Sequence, residues 1–212
     1  MIWPAEKGWL MDERLVDEAV EAIRAGQPVV LPTDTVYGLC ATPDRAEPVR
    51  ALYRLKGREE EQPTALLASD LEVLFERVPE LRGAGASLAR ALLPGPVTLV
   101  LPNPARRFRW LTGERPETIG VRVPVLEGEV RAILERVGVV AATSANNPGG
   151  PNPRRLEEVP EEIRSGCAAV VDGGKLPGTP STVIDLTGDE PVVLREGAVP
   201  AAEALDRLAQ AV

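Results

Sequence analysis

Short apolar runs alternate with amphipathic helical stripes along nearly the whole chain, and this alternation constrains the fold more than any other feature of the sequence. Over residues 12–25, Leu15, Val16, Ala19, Val20 and Ile23 form a helical stripe that Gly26 closes as a C-terminal cap. Residues 28–31 then read as a buried strand entering the polar string Thr33, Asp34, Thr35. Further helices are predicted at 47–56, 71–78, 87–92 and 128–137. Strands are predicted at 64–68, at 97–101 after the Pro-Gly-Pro break, at 118–123 and at 139–142. Three more follow at 168–171, 182–186 and 192–194, the last two pairing as a hairpin across TGDE. Such an order predicts one α/β domain over 1–212, with a sheet of mixed direction covered by helices. At 212 residues, a core of this kind needs neither disulfide nor metal.

The chain contains no histidine, which removes every mechanism that uses imidazole as base, nucleophile or metal ligand. Cys40 and Cys167 form no C-x-x-C pair, so they read as free thiols and not as a zinc or redox site. The opening MIWPAEKGWLMDERL has no apolar stretch suited to a signal peptide, and no run of about eighteen apolar residues occurs, which predicts a cytoplasmic protein without a membrane span. A formal charge of −8 argues against phosphate-backbone binding as the main task.

Several segments carry chemistry, each beside a plainer explanation. Gly83 to Leu88 starts like a dinucleotide fingerprint but lacks the final glycine, and Asp172 to Leu176 lacks most of a Walker loop; both read as turns. Lys56-Gly57-Arg58 ends a helix, where it can serve the helix dipole or, in a chain with three lysines, hold a polyphosphate. Thr143, Ser144, Asn146, Asn147 and Asn152 cluster after a strand, as an Asx turn or as a ligand loop at a strand end. Arg122 interrupts an apolar strand and needs either an ion-pair partner or a ligand. Thr33, Asp34, Thr35 and Tyr37 can form a simple polar turn, Ser181 and Thr182 can cap a strand, and Arg195 can lie on an exposed edge.

Taken together, LPTDTVYGL, LKGR, LPGPVTLVL, TIGVRVP, ATSAN, PSTVIDL and VLREGA stand in an order that resembles the YrdC-like family of threonylcarbamoyl-AMP synthases, over about 12–200. The resemblance is to the short, single-domain form, and it implies a twisted mixed sheet around a deep cavity. It implies that L-threonine, bicarbonate or CO2, and ATP give threonylcarbamoyl-adenylate and pyrophosphate, the adenylate passing to a tRNA threonylcarbamoyl transferase. By position, threonine contacts fall on Thr35, Arg122, Ser144 and Ser181, with Arg122 as a two-pronged fork for the carboxylate. ATP contacts fall on Lys56, Arg58, Gln62, Thr118, Asn146, Arg154 and Arg195. Lys56 and Arg58, at what reads as an exposed helix end, would act electrostatically without a covalent nucleophile.

Magnesium would ride on the phosphates, with no dedicated protein metal site. The chain departs from many relatives at Glu59 to Gln62, three glutamates near a triphosphate that read as a solvated face, and at Leu67, where relatives often carry His. Two other readings follow from these features: a same-fold paralogue that binds a nucleotide or carbamoyl-adenylate without efficient synthesis, and a nonenzymatic RNA-binding module. With 24 basic against 32 acidic residues, direct tRNA binding is expected to be weak or absent.

Overall fold

The computed structural model describes residues 12–59 and 61–211. Residues 1–11, most of the segment considered for targeting and including Lys7, lie outside the described residues, as do Glu60 and Val212. Helix α1 (Glu13–Ala25) starts at Asp12, whose side chain accepts from the Arg14 and Leu15 backbone N–H groups, and it buries Val16, Ala19, Val20 and Ile23. It is followed by β1 (Val29–Leu31), β2 (Gly38–Ala41), α2 (Ala46–Lys56), β3 (Ala65–Ala68), α3 (Leu71–Arg77), α4 (Ala84–Leu92), β4 (Val97–Pro102) and β5 (Thr118–Arg122). Then come α5 (Gly128–Val137), β6 (Val139–Ser144), α6 (Glu161–Ser165), β7 (Ala169–Val170), β8 (Thr182–Asp185), β9 (Val192–Arg195) and α7 (Ala201–Ala209).

Among the described residues these strands make one nine-stranded sheet in the order β7-β1-β2-β6-β3-β5-β4-β8-β9. Parallel pairs (β1 with β7, β3 with β5, β4 with β8) are interleaved with antiparallel ones, so the mixed direction is as the sequence predicts. The β8–β9 hairpin forms, with an irregularity between Val183 and Ile184. Four elements depart from the sequence reading. Strand β2, a four-residue stretch buried along its whole length, lies between β1 and β6. Helices α6 and α7 occupy segments given no element, and Gly83 to Leu88 begins α4 instead of making a turn.

Side-chain alternation along the strands places the site. One face of the sheet, with Leu66, Leu99, Leu101, Ile119, Val121 and Ala141, packs against Leu52 and Tyr53 of α2, Phe75 of α3, Leu92 of α4 and Leu208 of α7. The other face is covered by α1 and α5 over β1, β2, β6 and β3, through Val29, Leu31, Cys40, Val140 and Leu67. Beyond β3 that second face turns polar, and the cavity opens there. No helix is long and apolar enough to cross a membrane among the described residues.

Candidate active site

The half-covered face holds a cavity of about 380 Å³. Its floor is one set of alternating strand residues: Ala65 and Leu67 of β3, Gly120 and Arg122 of β5, Thr98 and Val100 of β4. The register sets Leu67 beside Arg122 and Val100 beside Gly120, so the only charge on the floor is Arg122. The loop after β1 and the end of β6 bound one side, and the segment before β8 together with β9 bounds the other.

Of the residues assigned from the sequence, Thr35, Arg58, Thr118, Arg122, Ser144, Ser181 and Arg195 line this cavity. Lys56, Gln62, Asn146 and Arg154 are not among its lining residues. Gln62 is exposed, and the Arg154 side chain lies over the Gly178 backbone.

Lys56 corrects the expectation of an exposed helix end, since it is 7% exposed. Gly57 ends α2 at φ +67, a left-handed conformation that glycine adopts without strain, and the lysine runs under the β6 loop. Its ammonium donates to the Ser144 carbonyl, to the Asn146 carbonyl at 3.0 Å and to Asn146 Oδ1 at 2.8 Å. An ammonium has three hydrogens, so this set spends them all on the loop. Burial, and secondarily Arg58, pulls its pKa down to about 8. Ser144 Oγ donates to Asn146 Oδ1 at 2.6 Å, and Asn146 Nδ2 donates to the Gly150 carbonyl at 2.7 Å. Lys56 and Asn146 thus shape the loop from behind while Ser144 faces the cavity.

Arg58 donates through Nη1 to Thr143 Oγ1 at 2.8 Å and through Nη2 to the Pro63 carbonyl at 2.5 Å, and its Nε is buried without a partner. Arg195 lies across Ser181, donating to its carbonyl from Nε (3.1 Å) and Nη2 (2.8 Å) and to its Oγ at 3.1 Å. Ser181 Oγ also pairs with Thr98 Oγ1 at 2.9 Å. The sequence left Arg195 as a candidate for an exposed edge; it is on the edge strand and exposed, yet its head group reaches the cavity. Its pKa is lowered first by burial and then by Arg122 and Arg58. Arg195 is therefore repelled by both other guanidinium groups, and a bound anion would relieve that repulsion.

Arg122 is 7% exposed, and both alternatives for it left open by the sequence meet in one residue. It has an ion-pair partner, Asp34, to which Nη2 donates. The same nitrogen donates to Thr35 Oγ1 at 2.9 Å, so both Nη2 hydrogens are used. Nε is buried without a partner. The expected open fork is therefore half engaged, and a two-pronged contact through Nη2 would have to displace Asp34 or Thr35. Thr33 Oγ1 donates to the Val36 carbonyl at 2.8 Å, which leaves Thr35 to donate to Thr33 Oγ1 at 2.9 Å while accepting from Arg122. Asp34 was visible in the sequence only as part of a polar turn; the signal was the buried arginine's need for a counter-charge.

Two glutamates, Glu61 and Glu114, also line the cavity, so the Glu59 to Gln62 stretch is not wholly a solvated face. Leu67 makes an apolar part of the floor. Arg115 lines the cavity too, but it is held by Asp185 at 2.8 Å and Thr187 at 3.0 Å.

Sequence and structure comparisons give a consistent set of relatives. The threonylcarbamoyl-AMP synthase of Pyrococcus abyssi is 38% identical over 197 residues, covering 91% of this chain and 57% of that protein. The crystal structure of P. abyssi Sua5 complexed with L-threonine superposes with a TM-score of 0.82 at 35% identity, over 91% of this chain and 56% of that one. The E. coli YciO structure gives 0.77 at 30% identity, over 92% and 94% of the two chains. This chain therefore spans somewhat over half of the P. abyssi protein and nearly all of YciO. The sequence profile described as telomere recombination matches residues 21–197, and with a twisted α/β sheet shared with Sua5 and YciO the chain belongs to the Sua5/YciO/YrdC family.

Proposed function

We propose that this chain is an L-threonylcarbamoyladenylate synthase, a nucleotidyltransferase of tRNA threonylcarbamoyladenosine biosynthesis acting in the cytoplasm on L-threonine, bicarbonate or CO2, and ATP. One observation carries the reading: a single cavity lined with neutral hydroxyls holds a half-paired buried arginine, Arg122, and two further arginines, Arg58 and Arg195, with Arg195 in electrostatic reach of both others. The Arg122 end suits an amino-acid carboxylate, with Thr35 and Ser144 nearby. The Arg58–Arg195 side suits phosphate oxygens.

The reaction needs no protein nucleophile. The threonine amine and CO2 give a carbamate, and a carbamate oxygen attacks the α-phosphorus as pyrophosphate leaves. The chain's part is to hold the two reactants in line and to neutralise developing negative charge with Arg58 and Arg195. Lys56 acts indirectly, fixing the loop that presents Ser144. Magnesium would be carried on the triphosphate, with Glu61 and Glu114 the carboxylates at hand in the cavity wall. When bound, magnesium would neutralise phosphate charge. The product would pass to a tRNA threonylcarbamoyl transferase.

Pyrophosphate release from ATP is expected to require L-threonine and bicarbonate together, because neither alone supplies the carbamate. The assay is run with threonine, with serine and without amino acid. Equal release in all three overturns the reading.

A further inference from the structure

The cavity's cations are not equivalent. Among the described residues Arg58 and Arg195 meet only neutral acceptors, whereas Arg122 carries the Asp34 carboxylate, and Arg115, half exposed at the rim, carries that of Asp185. The Arg122–Asp34 pair is the most enclosed ion pair among the described residues, with side chains 8% and 12% exposed. Asp34 is fixed at both oxygens, Oδ1 by Arg122 and Oδ2 by the Val125 backbone N–H at 3.1 Å. It therefore joins the loop after β1 to the loop after β5 and cannot swing away without breaking both contacts.

A wall of bare guanidinium groups does not distinguish a phosphate from an amino-acid carboxylate, since both are oxyanions recognised by the same donors. A polyanion with several charges would then outcompete a single carboxylate at every such subsite. Arg122 with Asp34 has no net charge, so a polyanion gains little there. Asp34 is not among the cavity's lining residues, so it acts through Arg122: a pair without net charge favours a ligand without net charge, and a zwitterion is one. We propose that Asp34 is a specificity-determining residue, whose carboxylate reserves the Arg122 end of the cavity for a zwitterionic α-amino acid and keeps phosphates and simple carboxylates on the Arg58–Arg195 side. The identity of the amino acid as threonine rests on the synthase reading; the charge logic rests on the ion pair.

The test compares L-threonine with (R)-3-hydroxybutanoate, the same molecule without its amino group, by titration calorimetry on wild type, Asp34→Asn and Asp34→Glu. Wild type is expected to prefer threonine by at least about tenfold, the size of one charge-assisted contact. Asp34→Asn, which can still accept from Nη2 but lacks the charge, is expected to lower that preference about tenfold. Asp34→Glu, which keeps the charge, is expected to restore it to within about threefold of wild type. An Asn variant that melts normally with an unchanged preference overturns the proposal, as does a Glu variant that loses as much as Asn. Should the Asn variant not fold, comparable affinity of the wild type for both ligands overturns it equally. Wild type that binds no threonine overturns the synthase reading and this inference with it; threonine binding with an unchanged preference in the Asn variant overturns this inference alone.

Discussion

At the scale of single residues, the two buried cations are doing different things. Arg122 must satisfy Asp34 and Thr35 and still meet a ligand, which a planar group with five donors can do and an ammonium with three cannot. Arg122→Lys is therefore expected to weaken threonine binding by about 2 kcal/mol, in the range for hydrogen bonds to charged groups, with ATP affinity nearly unchanged. Calorimetry with each ligand checks this, and equal losses for both would contradict the placement. Lys56 makes a prediction about pH. Its folded-state pKa of about 8 is below the ordinary value of 10.5, so between those limits the unfolded chain holds more protons. The lysine's contribution to stability accordingly rises as pH increases from about 8 toward 10.5, and burial penalises it fully below 8. Denaturant melts of wild type and Lys56→Gln should show a stability difference that grows in favour of wild type across that window. A constant difference would mean that burial does not shift this group.

At the scale of elements, the site depends on how tightly the β8–β9 hairpin and its exit turn are stacked. Gly197 lies so close to the segment before β8 that a Cβ there would stand 2.2 Å from the Pro180 carbonyl oxygen and 2.6 Å from the Ser181 carbonyl carbon. Both obstacles are backbone, and the Gly197 N–H is also held by Thr182 Oγ1 at 3.0 Å. Gly197→Ala should therefore push Ser181 out of place, costing about 1–3 kcal/mol as overpacking does and weakening threonine binding as well. Gly120, on the cavity floor, is the control: a Cβ there meets nothing nearer than 3.8 Å, so Gly120→Ala should melt close to wild type. If the two alanine variants melt alike, the close approach at Gly197 is not what holds the hairpin. Long apolar or strongly periodic segments, such as α1 and β4, were legible in the sequence because one face or both are buried along their whole length. Strand β2 was not, because four buried residues that include Gly38 carry no alternation, and α6 is too short to show a helical period. The candidate site was legible as far as its cavity-lining residues, which stand in recognisable motifs. Asp34 and the buried position of Lys56 were not, because both follow from which loops the sheet order brings together.

At the scale of the whole molecule, the distribution of charge decides what the protein meets. Its 24 basic residues are outnumbered by 32 acidic ones, and much of the basic surface is already paired: Arg54 with Glu47, Arg82 and Arg90 with Glu72, Arg107 with Glu80, Arg136 with Asp17 and Arg164 with Glu161. Exposed pairs of this sort add little stability, but each lowers the local field that a phosphate backbone would feel. Stacking platforms are equally scarce among the described residues. Tyr37, Tyr53 and Phe75 are buried, and the Trp110 ring N–H is held by the Pro43 carbonyl at 2.8 Å. The guanidinium groups with donors to spare, on Arg58, Arg122 and Arg195, face a cavity sized for small molecules and not for a duplex. The isolated protein is therefore expected to form its adenylate without tRNA and to bind tRNA only weakly, leaving anticodon recognition to the transferase. A mobility-shift titration at physiological salt checks this, because binding that neutralises several phosphates falls steeply as salt rises. A submicromolar complex with a steep salt dependence would show that a local basic face outweighs the acidic whole.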